Sequence, residues 1–206
     1  MKSLNFIFIL FLSQLVSSQV YKSSEPLAHT YSIVARDSVT GNMGVAVQSH
    51  WFSVGSVVTY GKAGVGVVAT QSFVNPSYGP KGLALMEQGL SPQQALEALL
   101  ANDNGEMFRQ VAFLNIKGDV ATHTGSSCIE AAGHRQGKNF SVQANMMLNN
   151  TVWDAMANAF EKTTGDLSDR MIAALKAAQG EKGDIRGSQS AAILIVKGKS
   201  TGNSWE

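Results

Sequence analysis

Cysteine is nearly absent from this chain, since Cys128 is the only one among 206 residues. A single thiol cannot form an intrachain disulfide, and it excludes the zinc and iron–sulfur sites that need several cysteine ligands. Charged residues make up only 15% of the chain, and the formal net charge is +1. Because no basic excess is available to neutralise phosphates, we predict no nucleic-acid partner and no anionic membrane surface.

Metal and nucleotide motifs are also missing. His50, His123 and His134 have spacings that match no metal-ligand pattern. The 20 glycines include no GxxxxGK[ST] loop and no GxGxxG turn before a helix. We therefore expect neither a metal nor a cofactor. Hydrophobic residues, by contrast, make up 44% of the chain, and a chain of this length suits one globular domain with one site.

The amino terminus has the pattern of an export signal. Lys2 precedes an apolar stretch over residues 4–16, and small residues lead to Gln19. We predict cleavage after Ser18, which makes the protein secreted or periplasmic. The alternative is an uncleaved membrane anchor, but about 13 apolar residues fall short of the roughly 20 that span a bilayer. Residues 19–29 are polar and include Pro26, so we expect a flexible leader.

Hydrophobic periodicity and capping signals predict the secondary structure after this leader. Strands are expected at residues 30–36, 43–49, 54–60, 64–72, 109–116, 119–124, 140–147 and 189–196. Helices are expected at residues 78–89, 91–100, 151–161 and 166–180. Because the helices come in pairs and do not alternate with strands, we predict an α+β fold with two mainly antiparallel sheets between helix pairs.

Five sequence segments carry a resemblance to one known family. They are TYSIVARD…GVAVQS (30–49), GVVATQSFVNPSYGPKGL (66–83), ATHTG…C (121–128), AAGH (131–134) and GDIRGSQSAA (183–192). They resemble an uncharacterised bacterial and archaeal family, the domain of unknown function number one-zero-two-eight, sometimes labelled as fimbrial assembly proteins. The resemblance implies an Ntn-hydrolase-like αββα sandwich over residues 30–206. Ntn-type folds often pair subunits, so it also implies a homo-oligomer.

The ends of the chain depart from the relatives' pattern. Relatives usually begin Met-Thr-Phe-Ser, where removal of the initiator methionine frees the threonine. Here Thr30 follows an export signal and a leader, so freeing it requires a cut after His29, by self-processing or by another protease. Similar proteins also continue with an acidic segment that contains Asp and His, and we therefore expect a truncated end at Glu206.

Thr30 is the predicted nucleophile. A threonine hydroxyl needs a base, and a free α-amino group has a pKa of about 7.7–8.0, which suits that role at neutral pH. Candidate oxyanion donors lie in the TQS and HTG runs: Thr70, Gln71, His123 and Thr124. The alternative interpretation of Thr30 is an ordinary β-branched residue that begins an edge strand.

Two further groups of polar residues are candidate substrate contacts. Arg36, next to Asp37, is placed to orient the Thr30 amine or a substrate carboxylate, while Asp37 alone also fits a turn cap. Asn75 and Tyr78 lie in the loop NPSYGP, which suits either ligand binding or simple turn chemistry.

The loop GDIRGSQS contains Asp184, Arg186 and Gln189. An arginine there has the fork geometry to bind a carboxylate, and a structural Asp–Arg pair explains the same letters. Cys128 with His123 forms a rival nucleophile and base, although a lone buried cysteine is usually core filler.

These residues together predict an amide hydrolase. Its expected substrates are small peptides, acyl-amino acids or cell-wall fragments. The alternative is a non-catalytic secreted binding or surface-assembly module with the same fold. The two differ in whether the amine of Thr30 is free, because a blocked amine leaves the hydroxyl without its base.

Overall fold

The computed structural model describes residues 27, 28 and 30–203. The predicted export signal, most of the leader and the last three residues lie outside the described part of the chain. Among the described residues, no helix combines the length and apolar character needed to span a bilayer.

The described residues form ten strands, five α-helices and a short 3-10 helix, Glu106–Phe108. The strands are β1 (Leu27–Ala28), β2 (Thr30–Arg36), β3 (Met43–Ser49), β4 (Thr59–Lys62), β5 (Gly66–Phe73), β6 (Arg109–Asn115), β7 (Val120–Thr124), β8 (Gly133–Gly137), β9 (Phe140–Ala144) and β10 (Ser190–Val196). The helices are α1 (Gly55–Val58), α2 (Tyr78–Glu87), α3 (Pro92–Leu100), α4 (Val152–Lys162) and α5 (Leu167–Gly180).

The strands form two five-stranded antiparallel sheets. Sheet A has the order β1-β5-β6-β7, with β4 paired to β5 as well, and sheet B has the order β10-β3-β2-β9-β8. Strand β2 is central in sheet B because it pairs with β3 on one side and with β9 on the other. The prediction of an α+β fold with two antiparallel sheets is therefore confirmed.

Three apolar clusters hold the layers together. One lies between α4–α5 and sheet B and includes Ile33 and Met171. The second lies between the two sheets and includes Val45 and Leu114. The third lies between sheet A and α2–α3 and includes Phe113. The sheets therefore face each other, and each has a helix pair on its outer side.

Several local elements have the bounds that the sequence predicts. The hairpin of β2 and β3 is in register from Thr30 opposite Ser49 to Arg36 opposite Met43. Ser91 Oγ caps α3 by accepting a hydrogen bond from the Gln94 backbone amide, and the Ser91 backbone amide donates to Gln94 Oε1. Strong local signals of this kind fix an element before tertiary packing is considered.

One predicted strand is wrong. Residues 54–60 were expected to be extended, but Gly55–Val58 forms α1 and only Thr59–Lys62 is a strand. Val54 and Val58 are both fully buried, and residues four apart share a face in a helix. The Thr59 hydroxyl donates to the Gly55 carbonyl at 2.8 Å, which closes this turn.

The edges of the sheets also differ from expectation. Strand β8 was not predicted, because its sequence GHRQG has no apolar alternation. Strand β10 was predicted to be buried, but it is the edge of sheet B, and Ile193 and Ile195 are 44% and 40% exposed. The leader contributes β1, in which Leu27 and Ala28 pair with β5.

Glycine allows α2 to lie close to sheet A. A Cβ added at Gly82 would be 2.4 Å from the ring of Phe113, which is fully buried and cannot move away. Gly180, at the end of α5, has no atom within 4 Å of such a Cβ. The two helical glycines therefore form a matched pair for testing this contact.

We expect Gly82→Ala to lower the free energy of unfolding by about 1–3 kcal/mol, because the added methyl overpacks the contact with Phe113. Gly180→Ala should be neutral or stabilise the fold by up to about 1 kcal/mol, since alanine has the higher helix propensity. Urea unfolding of both variants measures the difference. Equal values for the two would contradict the close packing.

Candidate active site

The layer between the sheets has one apolar half and one polar half. Side chains alternate between the two faces of a strand, so β2 directs Thr30, Ser32 and Val34 towards sheet A. The apolar half surrounds Val34. The polar half, which we call the polar end, contains the buried residues Thr30, Ser32, Ser49, Gln71, Gln110, Ser141, Gln143 and Asn145.

Thr30 lies at this polar end and is fully buried. Its carbonyl oxygen accepts hydrogen bonds from the Asn145 backbone amide at 3.1 Å, from Gln71 Nε2 at 3.2 Å and from Asn145 Nδ2 at 3.4 Å. Gln71 belongs to sheet A, whereas Asn145 follows β9 of sheet B. Thr30 is therefore held by groups from both sheets.

Two glutamine side chains link the sheets around Thr30. Gln71 Nε2 donates to Gln110 Oε1 at 2.6 Å, and the Ser32 hydroxyl donates to Gln71 Oε1 at 2.6 Å. Gln143 Nε2 donates to the Ser32 oxygen at 2.6 Å. Asn145 Nδ2 donates to Gln110 Oε1 at 3.0 Å. Buried amides are stable only when their polar atoms are paired, and this network provides the partners.

One polar atom of the network is left over. Asn145 Oδ1 is buried and has no hydrogen-bond partner among the described residues. Its sister atom Nδ2 is 3.4 Å from the Thr30 carbonyl oxygen, so this acceptor lies close to Thr30. A buried acceptor without a donor is uncommon and costs free energy.

His134 stands at the outer end of the network. Gln110 Nε2 donates to the Thr124 hydroxyl at 2.9 Å, and that hydroxyl lies 2.9 Å from Nδ1 of His134. Burial lowers the pKa of His134, and the nearby His123 lowers it further. If the ring is neutral with Nδ1 unprotonated, Nδ1 accepts a hydrogen bond from the Thr124 hydroxyl. The chain of hydrogen bonds then runs from Gln110 through Thr124 to His134.

The structure brings only some of the sequence-predicted candidates to the polar end, and it places neighbouring candidates on opposite faces of sheet A. Gln71 and Thr124 lie on the inner face with Thr30. Thr70 and His123 are paired with Val111, whose side chain packs with α2 and α3, so they face the helices. The Thr70 and His123 side chains therefore point away from Thr30, because neighbouring residues of a strand point to opposite faces. Their assignment as oxyanion donors stays a prediction that depends on their backbone amides.

Arg36 lies far from Thr30. It ends the strand that Thr30 begins, about 20 Å away at roughly 3.3 Å per residue. The prediction that Arg36 orients the Thr30 amine is therefore wrong. Asp37 caps the turn instead, because its Oδ1 accepts the amides of Val39 and Thr40 at 2.8 and 2.7 Å.

The loop that contains Asn75 and the loop that contains Asp103 have structural roles. Asn75 Oδ1 accepts the Ser77 amide at 3.1 Å, and Tyr78 donates its hydroxyl to Asp103 at 3.1 Å. Arg109 Nε also donates to Asp103, at 2.8 Å. Burial opposes ionisation of Asp103, but hydrogen bonds led by that of Arg109 outweigh it and lower its pKa to about 2.

The loop before β10 has a similar internal pair. Arg186 donates from Nε and Nη2 to the two oxygens of the buried Asp184, at 3.0 and 2.6 Å. The arginine fork predicted for a substrate carboxylate is thus occupied by Asp184, which corrects that interpretation. Gln189 is exposed, and its backbone amide donates to the Ser49 carbonyl at 2.9 Å beside Thr30.

The rival cysteine nucleophile has no support in the geometry. The Cys128 thiol donates to the Arg109 carbonyl at 3.3 Å, and burial raises its pKa, which keeps it protonated. The ring of His123 contacts Glu106, with Nε2 at 3.1 Å from Oε2. In the part of the chain that the structure describes, no three His, Cys, Asp or Glu side chains are grouped to hold a metal ion.

Sequence reasoning missed Gln110, Gln143 and Asn145. Each lies in or directly after an apolar strand, in RQVAFLN or FSVQAN, where only the strand was recognised. The signal was available: a glutamine at an inner position of a buried strand breaks the apolar alternation. A buried glutamine side chain needs a hydrogen-bond partner, and here the partners are the other members of the network.

Comparisons with known proteins agree on one family. The model described as "Family of unknown function (DUF1028)" matches residues 30–206. Eight chains of solved structures match, among them a crystal structure of a Silicibacter pomeroyi protein assigned to the same family model. That protein is 31% identical, with a TM-score of 0.76, over 82% of this chain and 76% of its own. No curated protein matches the chain.

Removing a member of the network should cost stability. We expect Gln110→Ala to lower the free energy of unfolding by about 2–4 kcal/mol, because it removes the acceptor that Gln71 and Asn145 share and opens a cavity. Gln93→Ala, on the exposed face of α3, should change it by less than about 0.5 kcal/mol. Denaturant unfolding compares the two, and a small effect for both would refute a stabilising network.

Stability should also fall in mild acid because of His134. Its folded pKa is lowered, so unfolding takes up a proton once the pH falls below the unfolded value of about 6.5. The stability lost between pH 7.5 and 5.5 should be smaller in His134→Gln. The exposed His50→Gln serves as the control and should keep the wild-type loss. An unchanged loss in His134→Gln would contradict this assignment.

Proposed function

This chain belongs to the family of unknown function DUF1028, and from that premise we propose that it is an N-terminal-nucleophile amide hydrolase that uses Thr30. The observation that carries the proposal is the position of Thr30 as the first residue of β2, buried at the polar end. The two facing sheets between helix pairs support an Ntn-hydrolase-like αββα sandwich.

The chemistry requires a free amine on Thr30. Once the bond after His29 is cut, that amine takes the proton from the Thr30 hydroxyl, and Oγ1 adds to the carbonyl carbon of an amide. The C–N bond breaks, the amine passes the proton to the departing nitrogen, and an ester to Thr30 remains. In the second half of the reaction, the amine takes a proton from water as the water oxygen adds to the ester carbonyl. The C–O bond to Thr30 then breaks, and the amine returns the proton to Oγ1.

Gln71 and Asn145 serve as positioning residues in this scheme. Both hold the Thr30 carbonyl, which fixes the residue that carries nucleophile and base. The unpartnered Oδ1 of Asn145 supports a second role, because a freed amine on Thr30 has N–H donors for this acceptor and gains another when it takes the hydroxyl proton. Fixing both reacting groups on one residue reduces the entropy that reaction must overcome.

Access to Thr30 depends on the leader. In the described structure the leader is still attached and forms β1, and Thr30 has no exposed surface. Loss of the leader both frees the amine and removes β1 from the polar end, so one cut creates the base and opens the site. We propose that this takes place in a secreted or periplasmic protein. Its substrates are small peptides, acyl-amino acids or cell-wall fragments.

The first test is the mass of the exported protein. We expect a chain that begins at Thr30. We also expect amide hydrolysis across a substrate panel to fall about a hundredfold or more in Thr30→Ala, because this variant keeps the amine but lacks the hydroxyl nucleophile. Thr40→Ala changes an exposed threonine at the far turn of the same hairpin and should keep full activity.

Two outcomes overturn the proposal. An exported chain that retains the bond between His29 and Thr30 has a blocked amine and favours the non-catalytic binding or surface-assembly module. Equal activity in wild type and Thr30→Ala assigns the reaction to another group. Intact mass of Thr30→Ala also separates the two routes to the cut, because self-processing stops in that variant whereas cleavage by another protease continues.

A further inference from the structure

One edge of β5 is shared by two short strands. β6 pairs with β5 along its other side from Gly66 to Ser72. On the shared side, β4 covers Gly66–Ala69, and β1 covers Ser72 and Phe73. The part of β5 that lies beyond β4 is therefore paired on this side by the leader.

The leader runs from this edge directly to Thr30. Leu27 and Ala28 pair with Phe73 and Ser72 in sheet A, and Thr30 begins β2 in sheet B. Along the chain, one residue therefore separates β1 of sheet A from Thr30 of sheet B. Main-chain pairing with β5 thus brings an extended segment to the nucleophile with its carbonyl end leading.

The edge is held rigidly at the crossing point. Arg109 Nη1 donates to the Phe73 carbonyl at 2.7 Å, and Arg109 is itself fixed by its ion pair with Asp103. The rings of Phe73 and Phe108 pack edge to face with centroids 5.5 Å apart. A rigid strand edge whose N–H and C=O groups have lost their neighbouring strand can bind an extended peptide as a new strand.

We infer that, once the leader has gone, the β5 edge at Ser72 and Phe73 binds the acyl-side main chain of an extended peptide substrate in the place of β1. This inference rests on the proposed function and narrows its substrate class. Main-chain pairing requires at least two residues before the cleaved bond. The site therefore selects extended peptides over single acyl-amino acids and over branched fragments that cannot lie along a strand.

Binding can be tested without catalysis in the full chain carrying Thr30→Ala. Leu27→Pro and Ala28→Pro are added to detach β1. Only one of two successive N–H groups in a strand points towards β5, so replacing both residues by proline removes the pairing donor in either case. The probe is a fluorescent peptide with the leader sequence KSSEPLAH (residues 22–29). A peptide N-methylated at the corresponding Leu and Ala is its matched control.

We expect hydrogen exchange at Ser72 and Phe73 to rise when β1 is detached and to fall again when the probe is added. The Thr30→Ala chain with an intact leader should bind the probe at least about tenfold more weakly, since its tethered β1 competes at an effective concentration on the order of millimolar. The N-methylated peptide should not restore protection.

Three results would overturn the inference: no binding of the probe to the detached chain, equal binding of the N-methylated peptide, or protection at a different strand. Because every arm contains Thr30→Ala, these results are independent of the nucleophile. A different result separates this inference from the proposed function. If the detached chain binds the probe but the protein with Thr30 cleaves no peptide, the binding site is supported and the proposed function is contradicted.

Discussion

The need to pair buried amides at the polar end governs the rest of the structure. Gln71, Gln110 and Gln143 have no exposed surface, and an unpaired buried amide costs about 1–3 kcal/mol. No single strand can satisfy them, because several of their hydrogen bonds run from sheet A to sheet B. The register of both sheets at this end is therefore fixed by polar contacts as well as by the apolar cluster in the other half.

This constraint places Thr30 with little freedom. Its carbonyl accepts donors from both sheets, so any shift of one sheet against the other breaks bonds to Thr30 as well as bonds between the glutamines. Rigid positioning of this kind is what a nucleophile requires, because small misplacements reduce rate steeply. It is also more than a structural threonine at the start of a strand requires.

Local signals made much of the fold predictable, whereas the site depended on pairing between distant strands. The β2–β3 hairpin and the Ser91 cap follow from residues close in sequence. Strand β8 did not, because an edge strand such as GHRQG gains its structure from β9. Thr30 and Gln71 were recognised by resemblance. Arg36 was assigned to the wrong end because proximity in sequence was taken for proximity in space.

The complete burial of Thr30 is consistent with catalysis only if the described chain is a precursor. Strand β1 occupies an edge of sheet A, and along the chain one residue separates it from Thr30, the proposed nucleophile. Under the proposed function, the peptide bond that joins this leader to Thr30 blocks the base, and the pairing of β1 with β5 marks where a substrate would lie. A module without catalysis gains stability from β1 but has no use for the unpartnered acceptor of Asn145 beside Thr30. Three other buried side-chain atoms of the described residues also have no partner, so the Asn145 oxygen supports the proposed catalysis only through its closeness to Thr30.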